Sequence, residues 1–219
     1  MNLEIILVRT VLVLTAALSV GISLWGGYYL LTGLMSWRRP MDYGRHPAGT
    51  RFAVLIAARN EELVIGPLIN SLLEQEYPAE LYDIYVIPNN CTDNTAEIAR
   101  SCGAIVYERF NKVLVGKGYA LDYAFNKIKE DEGDYTAYDG YFIFDADNVI
   151  DRNYVREMNK TFDQGYRVVT SYRNSKNFDT NWITSGYSLW FCREAKYLNN
   201  PRMILKTSCA VSGLSLIHI

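Results

Sequence analysis

The chain has 219 residues, with 22 basic and 24 acidic side chains and a formal charge of −2. That length suffices for one sizeable α/β domain, and the near-balanced charge points to neither nucleic acid nor an acidic partner. At 49% apolar residues it is too polar for a polytopic membrane protein, and its two histidines argue against a zinc site or a histidine-based triad.

Residues 11–34 read VLVLTAALSVGISLWGGYYLLTGL, without a charge. About 24 residues at ~1.5 Å each reach about 36 Å, beyond the ~30 Å hydrocarbon core of a bilayer. Trp25, Tyr28, Tyr29 and Trp37 gather toward one end, and Arg38 and Arg39 follow. This pattern predicts a transmembrane anchor within residues 1–37, with the Arg38 side in the cytoplasm. A cleaved signal peptide would have a shorter apolar region and lead with its stronger basic cluster. Residues 38–51, carrying Pro40, Gly44, Pro47 and Gly49, read as a polar linker. The four cysteines, Cys91, Cys102, Cys192 and Cys209, form no Cys-x-x-Cys pair and read as reduced thiols in a cytosolic setting.

A continuous apolar run at 52–57, FAVLIA, suits a buried parallel strand. Ile65, Leu68, Ile69 and Leu72 then mark one face of a helix. A second strand is predicted at 83–87. Asn94-Thr-Ala-Glu97 has the form of a capping box opening a short helix that stops near Gly103. A third strand follows at 104–107. Leu121, Ala124, Phe125 and Ile128 define the next helix, 141–144 the fourth strand, and Val155, Met158 and Phe162 a helix ended by Gly165. A fifth strand is expected at 167–171. Strands alternating with helices predict a mainly parallel sheet flanked by helices, with ligands beyond the carboxyl ends of the strands. The last six residues, LSLIHI, are one translation of CTGTCTCTTATACACATC, a common sequencing-library transposon end. Native sequence is therefore expected to stop at Gly213, with 214–219 a non-native tail.

Chemistry-bearing residues cluster where these strands end. Asp145 and Asp147 follow the apolar run YFIF, and two carboxylates so close repel unless a cation lies between them and a phosphate. Mg²⁺ or Mn²⁺, held by carboxylate and phosphate oxygens, fits that pattern. A plain turn in which Asp145 satisfies backbone donors is the alternative. The first strand runs into Ala57-Ala-Arg-Asn-Glu-Glu62, whose acids could simply favour the positive end of the next helix. The second runs into Pro88-Asn-Asn-Cys-Thr-Asp-Asn-Thr95, which could be a polar turn and cap. Gly116-Lys-Gly118 opens a helix and matches neither a P-loop nor a dinucleotide fingerprint, yet Lys117 at a helix amino terminus can receive phosphate.

In this order and spacing, strand-ARNEE-helix, NNCTDNTA-helix, GKGYALDYAF and FIFDAD together resemble the nucleotide-binding portion of family 2 glycosyltransferases with the GT-A fold. The likeness is strongest to their membrane-anchored, polysaccharide-synthase-like branch. It covers residues 52–213, and YRNSKNFDTNW at 172–182 and SCAVSG at 208–213 extend it. It implies that Ala57 and Arg59 border the nucleobase, Glu61 lines the same donor pocket, Lys117 meets the diphosphate, Asp145 lies near ribose and metal, and Asp147 binds the metal. Asn89 stands where the family usually has an aspartate; its amide oxygen is expected to accept the uracil N3–H. The resemblance implies inverting transfer from a nucleotide-sugar, UDP-sugar by expectation, to a glycan or lipid-linked acceptor at the cytoplasmic face of a bacterial plasma membrane. The catalytic base of the family is expected beyond Gly213, so the chain as given is expected to hold a donor without turning it over. A metal-dependent nucleotidyltransferase and a non-catalytic nucleotide-sugar binder are the alternatives. The former would show a glycine-rich loop where this chain has AARNE.

Overall fold

The computed structural model describes residues 3–44, 46–211 and 215–218. The chain divides into two compact units, Met1–Met41 with Tyr172–Cys209, and Asp42–Ser171 with Ala210–Ile219.

The first unit holds a 33-residue helix, α1 (Leu3–Met35). It begins ahead of the uncharged run and so takes in Glu4 and Arg9, because a helix needs only unbroken propensity, not uniform hydropathy. From Glu4 to Met35 it is long and apolar enough to cross a membrane, and its apolar side chains are exposed along its length. The Thr10 and Thr15 hydroxyls donate back to the carbonyls of Ile6 and Val11, both at 2.9 Å. The same unit contains α6 (Trp182–Cys192), a π-helical stretch (Arg193–Asn199) and α7 (Asn200–Ile204). Asn181 caps α6, its side chain accepting from the N–H groups of Ile183 and Thr184 at 3.0 Å. Arg202 Nε donates to the Tyr28 hydroxyl at 2.8 Å, and Arg193 lies over the Tyr29 ring.

The second unit is built on a sheet. Its elements are β1 (Phe52–Ala58), α2 (Ile65–Leu73), β2 (Tyr82–Pro88), α3 (Thr95–Ser101), β3 (Ile105–Val106), α4 (Lys117–Glu132), β4 (Gly140–Asp145), α5 (Tyr154–Phe162), β5 (Val168–Val169) and β6 (Ser215–His218). The strand order is β3-β2-β1-β4-β6-β5, with β1 to β4 mutually parallel and β6 antiparallel to both β4 and β5. β6 falls in the LSLIHI segment and pairs with the open side of β4. Backbone ladders form without regard to the origin of the segment that fills them.

β1 is central, and its two faces bury different helices. Phe52, Val54 and Ile56 join Ile65, Leu68, Ile69 and Leu72 of α2, Ala99 of α3, and Val155, Met158 and Phe162 of α5. Ala53 and Leu55 join Ala120, Ala124 and Ile128 of α4 with Tyr85, Tyr138 and Tyr141. A strand covered on both faces has to be apolar at every position, which is why FAVLIA does not alternate. The four α2 side chains are wholly buried, each contributing about 1.5–3 kcal/mol.

Three local expectations need correction. β3 and β5 are shorter than the apolar runs that suggested them. In β3 the ladder breaks after Val106, although Tyr107 N still donates to Val86 O at 3.0 Å and Asn89 bridges Arg109 further on. The Asn94 side chain makes no capping bond to α3. Asp93 does that work, accepting from Thr95 N at 3.2 Å and from its hydroxyl at 2.6 Å.

Candidate functional site

The parallel strands end level with one another. Ala57 pairs with Ile87 on one side and Asp145 on the other, and Ala58 pairs with Pro88. The three loops that leave β1, β2 and β3 therefore start at one edge, together with the turn after β4.

Polar side chains fasten these loops together. Asn60 has φ of 57° and its Oδ1 accepts from Thr92 N at 2.9 Å. Glu61 N donates to Thr95 Oγ1 at 2.9 Å, Glu62 N to Asp93 Oδ2 at 3.2 Å, and Asn94 N to Glu62 Oε2 at 3.0 Å. Glu62 thus caps the neighbouring loop instead of favouring its own helix end. Asn90, with φ of 55°, exchanges two bonds with the backbone of Asn111, at 2.8 and 2.9 Å. Asparagine tolerates the left-handed region, which suits it to these tight corners. Burial pushes the Asp93 carboxyl up, but bonds from Thr95 and from the backbone N–H groups of Thr95 and Glu62 outweigh that, and its pKa lies below the ordinary value.

At the end of β4, Asn148 closes the turn, its backbone N and its Nδ2 both donating to Asp145 O, at 3.2 and 2.7 Å. That leaves the Asp145 carboxylate free of the backbone, and it meets Lys117 Nζ at 2.5 Å. Ala146 is buried and Asp147 exposed. Lys117 is the first residue of α4, behind Gly116 with φ of 134° and ψ of 161°. Asp145 and Lys117, 28 positions apart, are thus brought together. Among the described residues no group of three or more His, Cys, Asp or Glu side chains could hold a metal. The donor set available for a divalent ion is then Asp145 and Asp147. It fits an ion that takes its remaining oxygens from phosphate and water.

Ala57 is half-buried between its strand partners, Arg59 is exposed, and Glu61 is half-buried. Asn89 is only 5% exposed, and its amide oxygen is already engaged. Arg109 Nη1 donates to Asn89 Oδ1 at 2.8 Å, and Asn90 Nδ2 approaches the same oxygen at 3.4 Å. This is the oxygen expected to accept a base N–H, and in the structure its near donor is the Arg109 guanidinium. Arg109 itself escaped the sequence reading. It sits in a polar stretch, YERFNK, that reads as solvated, yet it is 7% exposed and its Nη2 donates to Leu114 O at 2.8 Å. A charged residue shortly after a strand, opposite an asparagine in the preceding loop, was the available signal.

Comparison with known proteins agrees with this architecture. Beta-monoglucosyldiacylglycerol synthase of Nostoc sp. is 33% identical over 135 residues, which is 52% of this chain and 29% of that protein. The 4,4'-diaponeurosporenoate glycosyltransferase of Staphylococcus aureus is 39% identical over 71 residues, 32% of this chain and 18% of that one. The chain thus spans under a third of the length of these relatives. Among solved structures, the mannosyltransferase PcManGT from Pyrobaculum calidifontis, in complex with GDP-Man and Mn²⁺, superposes with a TM-score of 0.57 at 18% identity. The match covers 91% of this chain and 55% of that one. S. aureus TarS 1-349 gives 0.54 at 17% identity, over 77% and 47% of the two chains. Both share the fold. Residues 53–218 match the model of glycosyl transferase family 2, from the first strand through the last, and the chain belongs to that family.

Proposed function

We propose that this chain is the donor-binding part of a membrane-anchored, inverting glycosyltransferase that moves a sugar from a UDP-sugar to a lipid-linked or polysaccharide acceptor at the cytoplasmic face of a bacterial plasma membrane. The observation that carries the reading is the meeting of Lys117 and Asp145 at the carboxyl edge of the sheet, with exposed Asp147 two residues on. That edge is where α/β sheets of this kind take ligands. The name of the Nostoc relative contains a diacylglycerol, which favours a lipid acceptor. Support for the anchor comes from α1, whose threonine hydroxyls are satisfied by its own backbone, as a bilayer requires.

In this reading the Lys117 ammonium leaves Asp145 for the donor diphosphate and, fixed at a helix amino terminus, stabilises the charge that grows there as the sugar departs. Asp145 and Asp147 would hold Mn²⁺ or Mg²⁺, which would supply Lewis-acid stabilisation to the leaving diphosphate. Arg59 stacks its planar guanidinium on the base, and Glu61 lines the same pocket. Asn89 contributes an amide group at the base edge. A nucleotidyltransferase is not favoured, since the β1 loop is closed by Asn60 and Glu62 side chains and offers no run of glycine N–H groups to a triphosphate.

The test is turnover of UDP-sugars by the full-length gene product in detergent with Mn²⁺ or Mg²⁺. Asp147→Asn is expected to abolish metal-dependent transfer while leaving the unfolding temperature unchanged. Full activity in that variant refutes the metal assignment.

A further inference from the structure

Arg109 is a buried cation without a carboxylate. Among the described residues no acidic oxygen lies within ion-pairing distance of it, and its guanidinium is met only by neutral acceptors, Asn89 Oδ1 and Leu114 O. Its backbone is fixed as well: Arg109 N donates to Pro88 O at 2.9 Å and its carbonyl accepts from Asn90 N at 2.8 Å. The side chain therefore cannot swing away from Asn89 without leaving a buried charge unpaired.

This decides which way the Asn89 amide points. A guanidinium carries donors and no acceptor, so only the oxygen end of an amide can face it. Turning the amide would set its NH₂ against the guanidinium and lose the bond at 2.8 Å. The oxygen accepts from Arg109 at 2.8 Å and is approached by Asn90 Nδ2 at 3.4 Å, so donors of the protein already face it. The amide nitrogen makes no hydrogen bond among the described residues. The buried side-chain atoms there without a partner are Asn159 Oδ1 and Ser188 Oγ, so Asn89 Nδ2 is not sealed from solvent.

We infer that Arg109 is a positioning residue that inverts the polarity of base recognition at Asn89: the site presents an N–H donor, backed by a buried positive charge, to a carbonyl acceptor of uracil. An aspartate in this place would pair with Arg109 and turn its second oxygen outward as an acceptor. The inference rests on the proposed donor reading and deepens it, since it states which edge of the base is read.

The experiment separates the two. The full chain in detergent with Mn²⁺ is titrated calorimetrically with UDP and with 5-fluoro-UDP, whose N3–H ionises nearer neutrality, across the pH range in which the fluorinated base ionises and uracil does not. The ratio of the two dissociation constants cancels changes in the protein itself. Donation by Asn89 predicts that the fluorinated nucleotide gains on UDP, by about tenfold, as its N3 proton is lost. In Asn89→Asp the carboxylate accepts N3–H, so the ratio should move the opposite way, and the new pair with Arg109 keeps the fold intact, as thermal unfolding will report. In Arg109→Met the wild-type gain should shrink toward none. UDP binding in which the fluorinated nucleotide loses ground or merely keeps pace with UDP in the wild type overturns the inference and leaves the donor reading standing. Failure of UDP to bind overturns the donor reading and the inference with it.

Discussion

Replacing Lys117 by methionine separates a structural ion pair from a phosphate site, because the two predict opposite balances of stability and affinity. The Lys117 and Asp145 side chains are 37% and 49% exposed, so the pair is heavily screened. Pairs of that kind contribute about 0–1 kcal/mol. Lys117 is also the first residue of α4, where its charge faces the positive end of the helix and costs about 0.3–1 kcal/mol. The two effects are of similar size and opposite sign. Lys117→Met is therefore expected to change unfolding stability by less than about 1 kcal/mol. A hydrogen bond from an ammonium to a diphosphate contributes about 1.5–3 kcal/mol, so UDP affinity measured calorimetrically with Mn²⁺ should fall by about tenfold to about a hundredfold. Urea unfolding of the same preparation gives the stability arm. A loss of more than about 2 kcal/mol with unchanged UDP affinity would show Lys117 to be a structural tie, and the phosphate assignment would be abandoned.

Gly116 sits at φ 134° and ψ 161°, a region that only glycine occupies without strain. Gly116→Ala should cost about 1–3 kcal/mol although its Cβ would have room, the nearest atom being Tyr119 Cδ2 at 4.0 Å; unchanged stability refutes the strain. Burial raises the pKa values of the Tyr85, Tyr138 and Tyr141 phenols above the ordinary value, so stability is intact below about pH 10 and lost as pH rises above it. Each such phenol contributes about 1.4 kcal/mol per pH unit to that alkaline slope, and Tyr138→Phe should flatten it; superimposable slopes would refute the assignment. The Asp93 pKa is depressed on folding, so its contribution is present above its unfolded value near pH ~3.9 and lost as pH falls through the folded one. Asp93→Asn should accordingly remove part of the acid dependence of unfolding, and an unaltered acid limb in urea melts would tell against its capping role.

The sheet was legible because burial on both faces writes itself into local sequence. FAVLIA and YFIF carry no charged or amide side chain for a reader to misplace, and every residue of the two runs but Ala57 is buried. The helices α2 and α5 were legible through the spacing of the side chains they bury. Positions that depend on distant partners were not legible. Asn94 and Asp93 are both good capping residues by type, and residue type alone does not say that Asp93 takes the Thr95 N–H and hydroxyl. Arg109 finds Asn89 across 20 positions, and no periodicity announces such a bond. The ends of β3 and β5 depend on where neighbouring backbone runs out, which apolar runs of their own do not record.

One rule links the legible and illegible parts of the site. The loops at the carboxyl edge are held by side chains that return to backbone groups, Asn60, Glu62, Asn90, Asp93 and Asn111 among them. Each is spent on the protein's own chain and is poorly placed to serve a ligand as well, since a second partner must displace the first. The Arg59 and Asp147 side chains, the Glu61 carboxylate and Asn89 Nδ2 make no hydrogen bond or ion pair among the described residues. Those unspent groups stand at one edge of one sheet beside a lysine that a half-exposed carboxylate holds only weakly. A rigid polar frame with a few unsatisfied groups costs little ordering entropy when a ligand arrives, because the frame is already ordered. On this argument Asn60→Ala, which cuts the tie to Thr92 without touching any proposed ligand group, should weaken UDP binding through loop freedom alone. The loss should be entropic in calorimetry, with enthalpy little changed; an equal loss carried by enthalpy would mean that Asn60 contacts the nucleotide directly and that the division between frame and ligand groups is wrong.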